Sequence, residues 1–497
     1  MDYLDPKKKR QHKIQLFVGY GLFAVAIGIA TMVLAYLANG YYIDRDTGQI
    51  IQNGLVYIDS RPGGASVYIN NEKQRGTTDS RLVLPAGQYD ISLGKGGYRE
   101  WKRSLNLEGG SLRKLSYARL IPNELSTSAA VELRSNPQTS LQSIDKRWIA
   151  IGYNENPLLL DIYDTENPLV VPFQLQLPEE LVAEPDGKLE ILDWANDDKT
   201  FLAKYVSGTR TEYLLIDREN PELAINLNTQ FKNSSYEISF RDRNKNEFFV
   251  YQPATQSLFT ASINAGVSQS PFAVKVQDFK TFEKDWLLYI TDSGEEGLVE
   301  ARFKRGTDDI LLKKIQTDEK YLLQLAKLEN SPIIGIASPI ENRATVYQDP
   351  QKYLNDNPES SIPLATTVLR VDNPIDLRIS SDSSIILAYG SESFASHEFE
   401  ADRSYTFKVS VPIDPLQELR WVDGQHFLFS SEGKQVMMDF DGSNMYELVS
   451  SMPKMGSYYT NDIENMFSFT PSVAASGDVP AVAPQINLTS LLTENDR

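Results

Sequence analysis

The sequence predicts an all-β protein that one N-terminal helix attaches to a membrane. Three observations lead to this prediction: a long apolar run near the N-terminus, a short stretch of alternating apolar and polar residues, and a loose repeat of strand-length units that fills the remaining chain. The predicted order is a single transmembrane helix at residues 14–38, a small β-sandwich at residues 54–122 and a β-propeller at residues 123–497.

The apolar run at residues 14–38 determines the predicted location, because no charged side chain occurs between Lys13 and Asp44. As a helix this run would extend roughly 37 Å, more than the roughly 30 Å of a bilayer's hydrocarbon core. A basic tail, residues 1–13, precedes it. The positive-inside rule therefore predicts a single-pass protein of the cell membrane, with the tail in the cytoplasm and the bulk of the chain extracytoplasmic.

A cleaved signal peptide and a buried core helix are the alternatives to this membrane anchor. A signal peptide has an apolar region of about 7 to 15 residues before a small-x-small site, whereas a cut after Ala38 would put Tyr36 at the minus-three position. A core helix that is apolar on every side would need a large helical domain around it, and none follows. Ala24 and Gly28 form a small-xxx-small pair, so weak homo-oligomerisation through the helix is a hypothesis.

Composition excludes several kinds of site. The 497 residues contain no cysteine, which excludes disulfides and thiolate chemistry, and only three histidines, His12, His397 and His426. The formal net charge of −18 becomes −21 beyond the basic tail, so the bulk of the chain is expected to repel nucleic acid and anionic lipid surfaces. No nucleic-acid partner is therefore expected. No G-x-S-x-G motif occurs, and we interpret His397 and His426 as ordinary surface or packed residues rather than catalytic bases.

Residues 39–53 are predicted to be a juxtamembrane linker, and residues 54–122 a sheet structure. The linker is polar and contains the turn DRDTG. In segments such as LVYIDS and RLVLPAGQYDISL, apolar and polar residues alternate, and Gly, Pro, Asn or Asp follows each segment. This pattern predicts six or seven short antiparallel strands with one buried face and no helix, with Trp101 closing the core.

Turn residues and apolar positions in this segment follow a particular order. The positions are Pro62, Gly64, Ala65, Val67, Ile69, Asn70, Gly76, Thr77, Leu82, Leu84, Gly87, Tyr89, Ile91, Leu93, Gly97 and Tyr98. In this order the segment resembles a PEGA domain, a small bacterial envelope module. It departs at Gly63, Asn71 and Asp79, where Glu, Gly and Pro are usual. The resemblance implies a surface module that spaces or docks other domains, sometimes with a suspected role in binding wall polymers, and it implies no catalysis.

Beyond residue 122 the chain repeats a four-strand unit with tight turns. The clearest copy is residues 416–450, which is typical of one propeller blade. Similar units begin near Leu141, Leu189, Tyr236, Val276, Tyr321 and Ile375. A degenerate last unit lacks one strand, which residues around 124–136 could supply to close the ring. Eight blades are therefore preferred, seven are the runner-up, and a pair of β-sandwiches is the remaining alternative.

The phrases WANDDKTFLAKY and WVDGQHFLFSS in these units resemble the periplasmic WD-type propellers of the Tol-Pal kind. The similarity lies in the order of strand, acidic turn and apolar strand, which implies a fold and not a partner. The whole arrangement resembles PEGA-containing membrane proteins of bacteria.

Three acidic turns are candidate calcium sites, at residues 44–48, 242–247 and 439–444. The latter two lack the glycine and the acidic residue that an EF-hand loop has at positions six and twelve, so hairpin turns are the preferred interpretation. Four tryptophans recur beside early blade strands, where packing between blades is preferred over an aromatic ligand groove. They are Trp148, Trp194, Trp286 and Trp421.

The expected function is non-enzymatic. We expect a scaffold of the bacterial cell envelope whose propeller binds a protein or cell-wall glycan, with no cofactor, and the sequence assigns no catalytic, metal-binding or other binding residue. One alternative is a glycan lyase or hydrolase that acts in the central channel, where it would need paired carboxylates. Another is a structural subunit of a secretion or pilus assembly. Convergent buried carboxylates at the channel mouth would favour catalysis, and a polar rim would favour binding.

Overall fold

The computed structural model describes residues 6–38, 40–43, 48, 50–318, 320–415, 417, 419–450, 452–475 and 481–496. These residues divide into two compact units, and the chain passes from the first to the second between Asn123 and Glu124.

The first unit begins with the helix α1 (Pro6–Ala38). Its segment Arg10–Ala38 is long and apolar enough to cross a membrane, and none of it is buried in the protein. A helix that is apolar on every side and that no described residue covers is not the core helix of a globular domain. The helix also begins eight residues before the apolar run, because Lys, Arg and Gln favour helix and Pro6 occupies a first-turn position, where proline is tolerated.

A β-sandwich forms the rest of the first unit. Its strands are β1 (Tyr41–Ile43), β2 (Ile50–Arg61), β3 (Ser66–Ile69), β4 (Glu72–Thr77), β5 (Ser80–Pro85), β6 (Gly87–Gly94), β7 (Trp101–Leu107) and β8 (Leu112–Arg119). One sheet combines β1, β2, β5 and β8, and the other has the order β4-β3-β6-β7. Seven of these strands follow residue 49, as the alternation predicts, and no helix occurs among them.

Two details of this sandwich differ from the sequence prediction. First, β8 pairs with β2 in parallel, whereas only antiparallel pairs were expected. The chain crosses to the second sheet after β5 and returns after β7, so β8 enters the first sheet in the direction of β2. Second, β1 pairs with residues 50–52. Part of the predicted linker is therefore regular strand.

The sandwich has one hydrophobic core, in which Trp101 is fully buried as predicted. It packs with Val56, Ile58 and Leu105 among others. Gly54 permits the two sheets to approach closely, because a Cβ atom there would lie only 2.6 Å from Cγ of Leu107. Any larger residue at position 54 would push the sheets apart.

The second unit consists of four-stranded antiparallel sheets, which we number I to VIII along the chain. Sheets I to IV contain β10 (Pro137–Gln142), β11 (Trp148–Tyr153), β12 (Leu159–Asp164), β13 (Phe173–Gln176); β14 (Lys188–Trp194), β15 (Thr200–Ser207), β16 (Arg210–Asp217), β17 (Ile225–Asn226); β18 (Glu237–Arg241), β19 (Asn244–Gln252), β20 (Ser257–Ser262), β21 (Gly266–Val267); and β22 (Asp278–Phe282), β23 (Trp286–Asp292), β24 (Leu298–Arg305), β25 (Asp308–Gln316).

Sheets V to VIII continue the same pattern of consecutive strands. They contain β26 (Leu322–Leu328), β27 (Ser331–Ser338), β28 (Arg343–Gln348), β29 (Thr367–Arg370); β30 (Asp376–Ile379), β31 (Ile385–Tyr389), β32 (Ser393–Glu398), β33 (Arg403–Lys408); β34 (Arg420–Trp421), β35 (His426–Ser431), β36 (Lys434–Asp439), β37 (Tyr446–Ser450); and β38 (Tyr458–Tyr459), β39 (Asn465–Thr470), β40 (Gln485–Ser490), β9 (Ser126–Glu132). Short helices α2 (Leu227–Gln230) and α3 (Pro350–Asp356) lie in connections.

Sheet VIII joins the two ends of this unit. Its outer strand, β9, comes from the start of the unit and pairs antiparallel with β40, with Ile486 opposite Val131. The sequence prediction that residues around 124–136 supply the missing strand is confirmed. The eight sheets, all made of described residues, agree better with eight blades than with seven, and they exclude a pair of β-sandwiches.

Buried side chains connect the sheets in a circle. Hydrophobic clusters join sheets I and II, II and III, III and IV, IV and V, V and VI, and VI and VII. Between sheets VII and VIII the guanidinium of Arg420 lies 5.1 Å from the ring of Tyr458. Another cluster joins sheet VIII to sheet I, so the sheets form the closed ring of a β-propeller.

Candidate functional site

The first strand of each sheet lies nearest the axis of the ring, because the first strands of neighbouring sheets are the ones that approach one another, as β10 approaches β14 and β26 approaches β30. A propeller's central channel is therefore bounded by these strands and by the turn that follows each of them. Two concave sites of the second unit lie there.

A cavity of about 760 Å³, which we call the upper channel cavity, lies among the first strands of sheets II to V. Its volume is within the range of small-molecule sites. Its charged side chains are Glu190, Asp193, Lys204, Glu237, Asp242, Arg243, Lys280 and Glu283.

Asp193 is a carboxylate of this cavity whose pKa is shifted by its surroundings. Burial raises the pKa of Asp193, and the positive charges of Arg243 and Lys280 oppose this increase. The Nε of Arg243 lies 3.2 Å from Oδ2 of Asp193. Sheets II, III and IV thus each contribute one charged group here, and the carboxylate interacts with two cations.

Tyr213 forms part of the cavity wall. Burial and then the charge of Glu237 raise the pKa of Tyr213 to about 12. The phenol therefore remains protonated at neutral pH and acts as a hydrogen-bonding group rather than as a base.

A second cavity of about 430 Å³, the lower channel cavity, lies among the first strands of sheets IV to VI. Phe279 and Lys280 line both cavities, so the two belong to one channel. Burial raises the pKa of Asp278 in the lower cavity, and Lys320 opposes this increase. Asp376 forms an ion pair with Arg378 at 2.7 Å.

One strand position supplies much of the channel lining. The third residue of the first strand is polar in sheets II to VI, and every one of these side chains lines one of the two cavities. They are Glu190, Ser239, Lys280, Gln324 and Arg378, which we call the polar layer. Sequence reasoning did not identify any of them, although alignment of the repeat units at their first strands would have shown a recurrent polar position.

The turns that follow the first strands are bonded to one another along part of the ring. The contacts are Asn461 Nδ2 to the Asp145 carbonyl (2.7 Å), the Asp145 amide to Asp198 Oδ1 (3.0 Å), Asn196 Nδ2 to the Asp242 carbonyl (2.8 Å), Arg241 Nε to the Lys284 carbonyl (2.7 Å) and Lys327 Nζ to Glu283 Oε1 (2.7 Å). They run from sheet VIII through sheets I to V. The channel mouth beside these turns is consequently a cross-linked polar surface.

Both histidines of the second unit are buried in strands, which agrees with a packed interpretation. His397 Nδ1 lies 3.0 Å from Oγ of Ser404. His426 has carboxylates on both sides, with Nδ1 2.8 Å from Asp423 Oδ2 and Nε2 3.3 Å from Asp439 Oδ1. Neither histidine lines a channel cavity.

Hairpin turns account for the acidic segments proposed as calcium sites. Asp242 and Arg243 both have positive φ, as the central pair of a tight hairpin requires. Asp439 Oδ2 accepts a hydrogen bond from Asn444 at 2.8 Å, within its own turn. Most of the segment at residues 44–48 lies outside the described residues. Among the described residues, no group of three or more histidine or carboxylate side chains is arranged to hold a metal ion.

The four repeated tryptophans take part in packing. Trp194 and Trp286 are buried, and Trp286 packs edge-on against Phe303. Trp148 is half-buried, with the guanidinium of Arg218 3.9 Å from its ring. Trp421 packs edge-on against Phe427. None of the four lines a channel cavity, so these tryptophans do not form a ligand groove there.

Comparison with known protein families identifies one region of the chain. The family model of the PEGA domain matches residues 53–119. This segment is a PEGA domain. Strands β2 to β8 coincide with it, and the departures at Gly63, Asn71 and Asp79 do not alter the PEGA assignment. No curated protein matches this chain.

Several solved structures are similar to between about two thirds and three quarters of the chain, at low sequence identity. Hsv2 of Kluyveromyces lactis is 12% identical, with a TM-score of 0.41 over 64% of this chain and 99% of that chain. The Dos1 propeller is 11% identical, with a TM-score of 0.45 over 74% and 94%. The dihydro-heme d1 dehydrogenase NirN, in complex with DHE, is 14% identical, with a TM-score of 0.42 over 67% and 69%. These similarities concern the fold alone.

Proposed function

We propose that this chain is a membrane-anchored scaffold that holds its propeller outside the cell membrane, in a bacterial-type envelope. The observation that carries the proposal is α1. Its apolar segment Arg10–Ala38 is exposed along its whole length, and burial in a bilayer is the arrangement in which such a surface is stable. The PEGA domain follows it directly and would set the position of the propeller.

The propeller would bind a protein or a cell-wall glycan at the channel mouth. The polar layer presents both charge signs and neutral amide and hydroxyl groups, which is the composition of a recognition surface. A glycoside hydrolase would need two carboxylates that face the same bond. Asp193 and Asp278, the two channel carboxylates whose pKa burial raises, lie beside Arg243 and Lys320. This pairing supports binding over catalysis.

The mature protein tests the anchor. We expect the intact mass of the full chain, purified from membranes, to include residues 1–38, and we expect protease added to wall-less cells to remove the propeller. Val25→Arg with Ile29→Arg should release the chain from the membrane fraction, since each charge at the helix centre costs about 2.5 to 3.5 kcal/mol. A mature chain that begins after Ala38 would show a signal peptide instead.

Site-specific crosslinking tests the binding face. A photoreactive residue in place of exposed Glu237, in the upper channel cavity, should capture a partner in intact cells. The same residue in place of Lys352, which is exposed on α3 and lines neither cavity, is the matched control. We expect Lys280→Glu to reduce capture at least tenfold, because it reverses a charge shared by both cavities. Equal capture at both positions would contradict channel binding.

A further inference from the structure

The sheet of β1, β2, β5 and β8, which follows α1 in the chain, has exposed apolar and basic side chains on its outer face. Along β2, Val56 and Ile58 point into the sandwich core and are buried. Leu55 and Tyr57 therefore point outward, because successive strand residues alternate between faces. Tyr57 is 39% exposed, and no part of the described chain covers it fully.

One row across this face is apolar. Leu55 pairs with Val83 of β5 and with Leu112 of β8, so three aliphatic side chains lie side by side. Val83 is 58% exposed and Leu112 is 50% exposed. A single exposed aliphatic residue is ordinary, but a row across three adjacent strands forms a patch.

The next row consists of an aromatic ring between two cations. Tyr57 pairs with Arg81 of β5 and with Lys114 of β8. The guanidinium of Arg81 lies 5.9 Å from the ring of Tyr57. Both cations are exposed, and no carboxylate among the described residues forms an ion pair with either. We call the two rows together the apolar–basic face.

The chemistry of the apolar–basic face is that of a membrane-surface contact. Aliphatic side chains can enter the boundary between headgroups and acyl chains, Tyr favours the interface, and Lys and Arg bind headgroup phosphates. The charge of the domain is consistent with this, since residues 54–122 contain 11 basic and 6 acidic side chains, a net charge of +5. An anionic lipid surface would therefore attract this part of the chain.

The face also begins close to the membrane helix in the chain. Strand β2 starts at Ile50, whose paired strand β1 begins three residues after α1 ends at Ala38. Leu55 is five residues further on, about 17 Å along an extended strand. The apolar row is thus within reach of the interface at which the helix would leave the bilayer.

We propose that the apolar–basic face docks on the anionic headgroups of the membrane that α1 crosses. The proposal rests on the proposed function, because it requires α1 to be a membrane anchor. A wall polymer of phosphate groups would use Arg81 and Lys114 but not the apolar row. A second copy of the chain, paired through this same face, would bring four exposed cations together.

The absence of cysteine from the sequence makes a direct test simple. Val83→Cys, labelled with an environment-sensitive fluorophore in the full chain, is placed in vesicles of equal parts phosphatidylglycerol and phosphatidylcholine that carry nitroxide-labelled lipids. The control label is Asn106→Cys, an exposed position on the opposite sheet. Asn106 precedes Leu107, which contacts Gly54, so both labels lie at a similar level of the sandwich.

We expect lipid quenching at position 83 to be several-fold stronger than at position 106. Arg81→Gln with Lys114→Gln should lower the ratio of docked to undocked protein about fivefold for each charge removed. The charge-matched control is Lys73→Gln with Arg75→Gln, both exposed on β4 of the other sheet. This control should leave the quenching unchanged. Circular dichroism should show that both double variants keep the fold.

Each other result overturns the proposal. Equal quenching at the two positions, or equal quenching in pure phosphatidylcholine, would show that the face does not recognise anionic lipid. If soluble polyphosphate protects the label at position 83 from quenching, the face binds a polymer. If protection from quenching increases with protein concentration, the face binds a second copy. If the chain does not float with the vesicles at all, the anchor itself fails; if it floats but position 83 is unquenched, only the docking fails.

Discussion

The two units of this chain are built from similar short strands but carry opposite charge. Residues 54–122 have a net charge of +5, whereas residues 123–497 contain 32 basic and 57 acidic side chains, a net charge of −25. The overall value of −18 conceals this contrast. The propeller is repelled by anionic surfaces, whereas the PEGA domain is attracted to them. The sequence expectation that everything beyond the tail avoids anionic lipid therefore applies to the propeller alone.

The units also differ in how their apolar side chains are distributed. The PEGA domain has one core around Trp101, while the propeller divides its core into clusters between neighbouring sheets. A small domain buries little surface, so the loss of one large core side chain removes a large part of its free energy of unfolding. A ring of sheets tolerates local damage as long as the ring stays closed.

Breaking the closure of the ring should have the largest effect. Ile486 is fully buried where β40 pairs with β9, so we expect Ile486→Asp to cost about 4 kcal/mol or more by burying an unpaired carboxylate. Hydrogen exchange should show loss of protection at residues 126–132 and 485–490 together, while the PEGA domain keeps its protection.

The control for this variant is Val482→Asp, at a position nearby in the chain that is partly exposed. We expect a change within about 0.5 kcal/mol there. If residues 126–132 stay protected in Ile486→Asp, the ring does not depend on the shared strand.

Removing one tryptophan from each unit compares the two kinds of core. Trp101→Ala and Trp286→Ala both remove a fully buried indole, and each should cost about 3 to 5 kcal/mol. We expect Trp101→Ala to expose the amides of β2 to β8 as one cooperative unit, and Trp286→Ala to affect only sheets IV and V. Exchange confined to β7 in Trp101→Ala would contradict the single-core description.

Buried carboxylates provide a third comparison, because in the part of the chain that the structure describes they lie in the propeller and not in the PEGA domain. Asp439 is 2% exposed and lies 3.3 Å from His426, whereas the buried pair Ser60 and Thr78 in the PEGA domain is neutral, at 2.6 Å. We expect His426→Leu to destabilise the propeller by about 3 to 5 kcal/mol, because Asp439 loses its neighbouring imidazole.

The double variant His426→Leu with Asp439→Leu should recover most of this loss in chemical denaturation, since it leaves no buried charge unpartnered. Ser60→Ala, which removes a neutral partner, should cost only about 1 to 3 kcal/mol. A loss in the double variant as large as in the single variant would mean that His426 acts only through its packing.

The sequence allowed much of the fold to be predicted and almost none of the site. Period-two alternation and turn residues are local signals, so the strands of the PEGA domain and the closing strand at residues 126–132 could be inferred. The parallel pairing of β8 with β2 depends on the path between sheets, which local alternation does not record. Asp193, Arg243 and Lys280 meet only because three sheets surround one axis, and each appears in the sequence as an ordinary surface charge.

The smallest effect concerns the pH dependence of the propeller. Burial lowers the pKa of His397, and the exposed Asp402 opposes this decrease only in part. Below about pH 6.5 His397 binds a proton in the unfolded chain, whereas in the folded propeller it binds one only at the lower pH set by its lowered pKa. Stability should therefore fall as the pH drops from about 6.5 to the lowered pKa of the folded state, and should be unaffected by this group at higher pH.

His397→Gln should flatten that part of the profile of unfolding free energy against pH, whereas Asp402→Asn should steepen it, because the attraction that raises the pKa of His397 is lost. Each unit of difference in pKa corresponds to about 1.4 kcal/mol. The PEGA domain has no histidine, so hydrogen exchange at its strands should not respond to either variant. A response there would mean that the two units unfold together, and the comparison between one core and a ring of cores would no longer hold.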